Sequence, residues 1–75
     1  MTRAKKNPTY VAVGKRLREA RLEAGLTQEQ LAFEADLNPK YVGCVERGEK
    51  DISVARLLRL LAVLKKEPGD FFAGL

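Results

Sequence analysis

Residues 27–48, TQEQLAFEADLNPKYVGCVERG, read as two short helices joined by a tight turn. Thr27 is placed to cap the first: its hydroxyl accepts from a free backbone N–H, and Gln30, three positions on, completes a capping box. Leu31, Ala32 and Ala35 recur at helical spacing and give that helix one apolar side. Asn38 and Pro39 open the second helix, a side-chain cap followed by a residue whose fixed φ suits the first helical position. Tyr41, Val42 and Val45 supply its buried side, and Gly48 supplies a left-handed stop. Only Asp36 and Leu37 remain for the link. So short a link forces the helices to cross steeply, the geometry of a helix-turn-helix. Ala32 then lies where the helices come closest, and Val42 and Val45 fill the angle between them.

Upstream, Asn7-Pro8 repeats the opening signal of Asn38-Pro39, and a first helix runs from there to Ala24, with Gly25 ending it. Val13, Leu17, Ala20 and Ala24 fall along one face, while Lys15, Arg16 and Arg18 crowd the more exposed sides. Arg21 falls on the apolar face, one turn after Leu17, where a solvated arginine is out of place. Its natural partner is Glu46, at the inner edge of the second motif helix beside Val42 and Val45. The two are expected to form an ion pair tying the first helix to the third. Residues 1–8 are taken as a flexible basic arm and 9–75 as the folded domain with a C-terminal dimerisation surface. Arg3, Lys5 and Lys6 on the arm could lie along a nucleic-acid groove.

Downstream, Glu49-Lys50-Asp51 reads as a charged loop, and Ser53 caps a fourth helix whose body is Val54 to Leu64. Leu57, Leu60, Leu61 and Leu64 form the stripe of a core-facing helix, which Val54 and Leu58 widen. Glu67-Pro68 starts a last short helix ending in Phe71, Phe72 and Leu75. This is more apolar surface than three small helices need to cover. Val63, Phe71, Phe72 and Leu75 are therefore the candidate interface of a homodimer.

A chain of 75 residues makes one domain, near the lower limit for a self-sufficient core. The net charge of +4 points towards a polyanion, and its distribution says more. The first 25 residues hold seven Lys/Arg against two Glu, whereas residues 26–50 hold three basic and five acidic groups. One cysteine, Cys44, cannot form an internal disulfide, which fits a reducing cytosol. With no histidine and a single thiol there is no zinc-ligand set, and no nucleophile–base constellation suggests an enzyme. No cofactor, metal or small-molecule ligand is expected. No apolar run approaches a membrane span and no signal-peptide core follows Met1, so a cytoplasmic protein without a membrane partner is expected.

The runs GKRLREARLEAGLTQEQLA, YVGCVERG and LLRLLAVL resemble the Xre/Cro-type, lambda-repressor-like helix-turn-helix family of phage and bacterial regulators, over roughly Val13 to Phe72. LNPKYVGCVERG followed by DISV and a terminal FF is similar to the controller proteins of restriction–modification systems, small dimeric regulators of their own operon. The resemblance implies a compact all-α domain of five helices, with the third helix in the major groove of double-stranded DNA. It implies that Arg21 and Glu46 are the family's inter-helix ion pair. It further implies that Gln28 reaches a phosphate and braces the recognition helix. Two positions depart from the pattern. Asp36 stands where the turn usually has glycine, and aspartate tolerates the left-handed conformation better than most residues. Gly43 stands mid-helix where a polar residue is common, which costs about 1 kcal/mol relative to alanine and leaves a lean recognition surface.

In groove geometry the outward positions of that helix are Pro39, Lys40, Gly43, Cys44 and Arg47, with Asn38 at its cap. Lys40 is expected to donate to a guanine edge. Tyr41 packs either on the core or against a sugar or thymine methyl. Cys44 offers at most a weak contact. Arg47 and Lys50 are expected at phosphates, as are the backbone N–H groups beside Thr27 and Gln28. The expected function is a sequence-specific, homodimeric DNA-binding transcriptional regulator, repressor or autoregulator, on a palindromic operator. The alternative keeps the fold and drops DNA: a protein-interaction module such as an antitoxin-like subunit, whose Leu/Phe surface binds a partner.

Overall fold

Caps and stops written in the sequence divide the chain. A computed structural model describes residues 7–75 as five helices, with no strand among them. They are α1 (Pro8–Glu23), α2 (Gln28–Ala35), α3 (Pro39–Glu46), α4 (Val54–Leu64) and α5 (Pro68–Phe72). Asn7, Thr27, Asn38 and Ser53 each accept a backbone N–H at the start of a helix, and Thr27 with Gln30 closes the reciprocal capping box. The four longer helices end in one way. A residue with positive φ (Gly25, Asp36, Gly48, Lys65) turns the chain, and its N–H and the next one return to the last turn's carbonyls. The basic arm expected over residues 1–8 lies outside the described residues as far as 1–6. Pro8 is the first residue of α1, with Asn7 as its cap.

The core forms where α1 packs on α3 and α2 on both α3 and α4. Leu17, Leu31, Ala32, Val42, Leu60 and Phe71 are among its fully buried members. Ala32 and Val42 therefore occupy the crossing assigned to them, and Leu57, Leu60, Leu61 and Leu64 all turn inward. Val54 and Leu58, which widen that stripe, remain on the surface.

Three expectations need correction. Ala24 is exposed, because it is the C-cap of α1, where the helical face has already ended. The buried face also includes Gly14, which lets α1 touch the backbone of α3: a Cβ there would lie 2.8 Å from the Glu46 carbonyl oxygen and would also collide with that of Val45. Phe71, proposed for a subunit interface, is only 1% exposed. It seals the core, and its ring meets Phe72 edge-on at 5.1 Å. Val63 likewise packs half-buried against the core. Of the expected interface, Phe72 and Leu75 are left in the open, at 43% and 53% exposure.

Two arginines fix the ends of the bundle. Arg59 on α4 donates to the Ala35 carbonyl at 3.1 and 2.7 Å and to the Asp36 carbonyl at 2.8 Å. It thereby satisfies the end of α2 and the left-handed turn together. Arg16, expected on an exposed side of α1, instead donates to the Phe71 carbonyl at 3.1 Å and secures α5.

Candidate nucleic-acid interface

One carboxylate organises the outer surface of the helix-turn-helix. Glu46, at the end of α3, accepts from Arg21 Nε at 2.7 Å, Arg21 Nη2 at 3.0 Å and Gln28 Nε2 at 3.0 Å. The Arg21 and Glu46 side chains are 9% and 1% exposed. Arg21 also donates to the Leu26 carbonyl at 2.9 Å, so no buried polar side-chain atom is left without a partner among the described residues. Its hydrogen bond to Glu46 is the main cause that raises the arginine's pKa above its usual value, against the opposing effect of burial. The guanidinium stays charged, and α1, α2 and α3 are joined through a single acceptor. Gln28 thus braces α3 directly.

The presented surface is a shallow concavity lined by Gln28, Glu29, Pro39, Lys40, Gly43, Cys44 and Arg47. Pro39 and Lys40 stand exposed in the first turn of α3. Gly43 is not an outward position as expected: it is buried, because the Gln28 and Arg47 side chains close over it. Cys44 is half-buried at the rim, 3.6 Å from Arg47 Nη2. Arg47 is exposed but engaged, with its Nε 3.1 Å and its Nη2 3.2 Å from the two carboxylate oxygens of Glu49. That pair is the chief cause raising the Arg47 pKa. Lys50 is exposed and lies outside this concavity, at a cleft it shares with Thr9, Tyr10 and Phe72.

Three of the expected contact residues carry structural tasks. The Asn38 side-chain oxygen is committed to the Lys40 N–H at 2.8 Å, so its acceptor caps α3. Thr27 gives its hydroxyl and its own N–H to the capping box, which leaves the Gln28 and Glu29 amides to face outward at the start of α2. Tyr41 packs half-buried on the core, donates to the Asp51 carbonyl at 3.1 Å, and lies under the Arg56 guanidinium at 5.5 Å. It anchors the loop after α3.

Phe33 was not singled out by its spacing. It sits on the outer side of α2 and is 84% exposed, the most exposed of the large apolar side chains among the described residues. Arg59 was also missed, since no local rule says that a basic residue on α4 faces the carbonyls ending α2. No group of three or more His, Cys, Asp or Glu able to hold a metal occurs among the described residues, and no helix there is long and apolar enough to cross a membrane.

Residues 17–71 match the helix-turn-helix family HTH_3. The chain is 34% identical over 65 residues to the control protein C.BamHI of Bacillus amyloliquefaciens, covering 85% of this chain and 80% of that one. Its fold is similar to the restriction–modification controller protein C.AhdI of Aeromonas hydrophila (TM-score 0.84, 44% identity), covering 88% of this chain and all, 100%, of that one. It is also similar to the controller C.Esp1396I, solved as a tetramer in complex with its natural 35 base-pair operator (TM-score 0.81, 27% identity, 88% of this chain and 87% of that one).

Proposed function

The chain belongs to the Xre/Cro-like helix-turn-helix family, and we propose that it is a sequence-specific, homodimeric, cytoplasmic DNA-binding regulator of a restriction–modification operon, without catalytic activity. The observation that carries this reading is the bracing of α3. Arg21 and Gln28 hold its end through Glu46, and the first turn, with Lys40, is thereby presented at a fixed angle. A helix so held enters the major groove with its amino-terminal residues at base edges. Lys40 is the donor to a guanine edge. Lys50 and the outward amides of Gln28 and Glu29 hold phosphates, which set register without reading sequence.

The dimer surface is the apolar ground around Phe72. Clefts on either side of it are lined by Val13 and Val54, with Lys50 and Asp51 at the rim, and by Ala12 and Leu75, so exposed and half-buried apolar side chains at the ends of α1, α4 and α5 surround it. A two-fold pairing there supplies two recognition helices to a palindromic site. The operator-bound tetramer of C.Esp1396I supports assembly on DNA as the working state.

Enrichment of a randomised duplex library on the protein tests the reading. It predicts two inverted half-sites with centres about 10 base pairs, or a multiple of that, apart. Enrichment of single, unpaired sites would count against the dimer, and no enrichment against the regulator.

A further inference from the structure

The strip of α3 that faces a groove has a polar neighbour on each side. An α-helix turns about 100° per residue, so Lys40, Cys44 and Arg47 fall within about 60° of one another on its outer side. Gly43 and Glu46 lie on one flank of that strip, where the Gln28 side chain covers Gly43 and donates to Glu46 at 3.0 Å. Tyr41, about 100° round from Lys40 in the opposite sense, lies on the other flank. Its hydroxyl donates to the Asp51 carbonyl at 3.1 Å, and the Arg56 guanidinium stands over its ring, 5.5 Å from the centroid.

Arg56 differs from the arginines around it. Arg21 and Arg47 are engaged by Glu46 and Glu49, and Arg59 by the carbonyls that end α2. Arg56 is exposed, and no oxygen among the described residues accepts from its side chain. A ring beneath a guanidinium restrains it without consuming its N–H donors as a carboxylate does. A long side chain already restrained loses less freedom when a ligand fixes it. The major groove is about 12 Å wide, close to the roughly 10–12 Å diameter of a helix with its side chains. A helix seated in it therefore has one DNA strand against each flank. The outward amides of Gln28 and Glu29 meet the strand on the Gly43 side, and Arg56 is placed for the strand on the Tyr41 side.

We propose that Arg56 holds a backbone phosphate of the strand opposite the one held by the Gln28 and Glu29 amides, with Tyr41 as its positioning residue. The guanidinium fork can donate to two oxygens of one phosphate. This rests on the regulator reading above, carries the interface onto α4, and gives the Tyr41 ring a task towards DNA besides anchoring its loop.

The test titrates the full-length protein on the duplex that wild type enriches, with one phosphate at a time made neutral as a methylphosphonate. Wild type should lose affinity at linkages on both strands of each half-site. Arg56→Ala should become indifferent to one linkage on one strand, stay sensitive on the other strand, and keep its base preference. Its salt slope should flatten by about one unit per half-site, on enriched and scrambled duplexes alike. Alanine at this exposed helical position favours the helix, so the variant stays folded. Tyr41→Phe keeps the ring and should match wild type at that linkage. Tyr41→Leu removes the ring and should lose part of the effect there, with the other linkages unchanged. An Arg56→Ala variant as sensitive as wild type at every linkage would overturn the proposal. A Tyr41→Leu variant as sensitive as Tyr41→Phe would overturn the positioning role. Failure of wild type to enrich any duplex would instead overturn the regulator reading itself, so the failures are told apart.

Discussion

Replacing Glu46 with alanine removes the acceptor of three donors at once: Arg21 Nε, Arg21 Nη2 and Gln28 Nε2, at 2.7–3.0 Å. The guanidinium left behind is buried and keeps only the Leu26 carbonyl. Breaking a buried pair from one side costs about 3–5 kcal/mol, and the surviving carbonyl contact places Glu46→Ala near the lower figure, about 3 kcal/mol. A domain of 75 residues has a total stability of roughly 4–11 kcal/mol, so much of it would be gone. With a urea slope of about 1 kcal/mol per molar, the unfolding midpoint should fall by about 3 M. With no tryptophan in the chain, far-ultraviolet circular dichroism is the natural probe. The double variant Arg21→Met/Glu46→Leu replaces both charges with apolar groups of similar size. It should be less destabilised than the sum of its parts by about 2–3 kcal/mol. Strictly additive energies would refute the bridging role. The effect should not vary with pH through Arg21. Its pKa is raised, so its stabilisation is fully present below the ordinary arginine value and is lost only above the folded value, in strong alkali.

Other substitutions probe separate parts of the fold. Gly14→Ala sets a methyl against the α3 backbone at Val45 and Glu46; it should cost about 3 kcal/mol in urea unfolding, and a neutral result would mean that α1 and α3 are further apart. Asp36→Gly relieves a left-handed aspartate, φ 58°, and should stabilise by about 1 kcal/mol; the Arg59 contacts to backbone carbonyls survive it, and a loss of stability would show that the Asp36 side chain holds the turn. Phe72→Glu should leave the melting temperature near wild type but weaken self-association in sedimentation, whereas Phe71→Ala should lose about 3–5 kcal/mol of stability; a dimer unaffected by Phe72→Glu would move the interface elsewhere.

The helices were legible because their ends are local chemistry. Asn7, Thr27, Asn38 and Ser53 cap through their own side chains, and Gly25 and Gly48 turn the chain without help from distant residues. Arg21 and Glu46 could be paired in advance because each is a charge on an apolar face, and the structure brings them together. What stayed hidden depends on tertiary neighbours. Gly14 looks like an interruption of α1 until α3 is laid across it. Helical spacing puts Gly43 on the outer face, but Gln28 and Arg47 reach over and cover it. Of two adjacent phenylalanines, the pattern requires only that they diverge, and the packing of α5 against α1 decides that Phe71 goes inward. Arg59 reads as an ordinary surface cation until the carbonyls ending α2 are seen in front of it.

The central claim is that α3 reads sequence while the surrounding charges hold the backbone. Titration of wild type and Lys40→Ala on the enriched duplex and on its scrambled counterpart, across a salt series, tests it most directly. Wild type should bind the enriched duplex at least about 1,000-fold more tightly than the scrambled one. Lys40→Ala should give up roughly 1–3 kcal/mol per half-site on the enriched duplex and much less on the scrambled one, relaxing one base position. Equal affinity of wild type for the two duplexes at every salt concentration would contradict the account and leave the helical domain as a protein-interaction module.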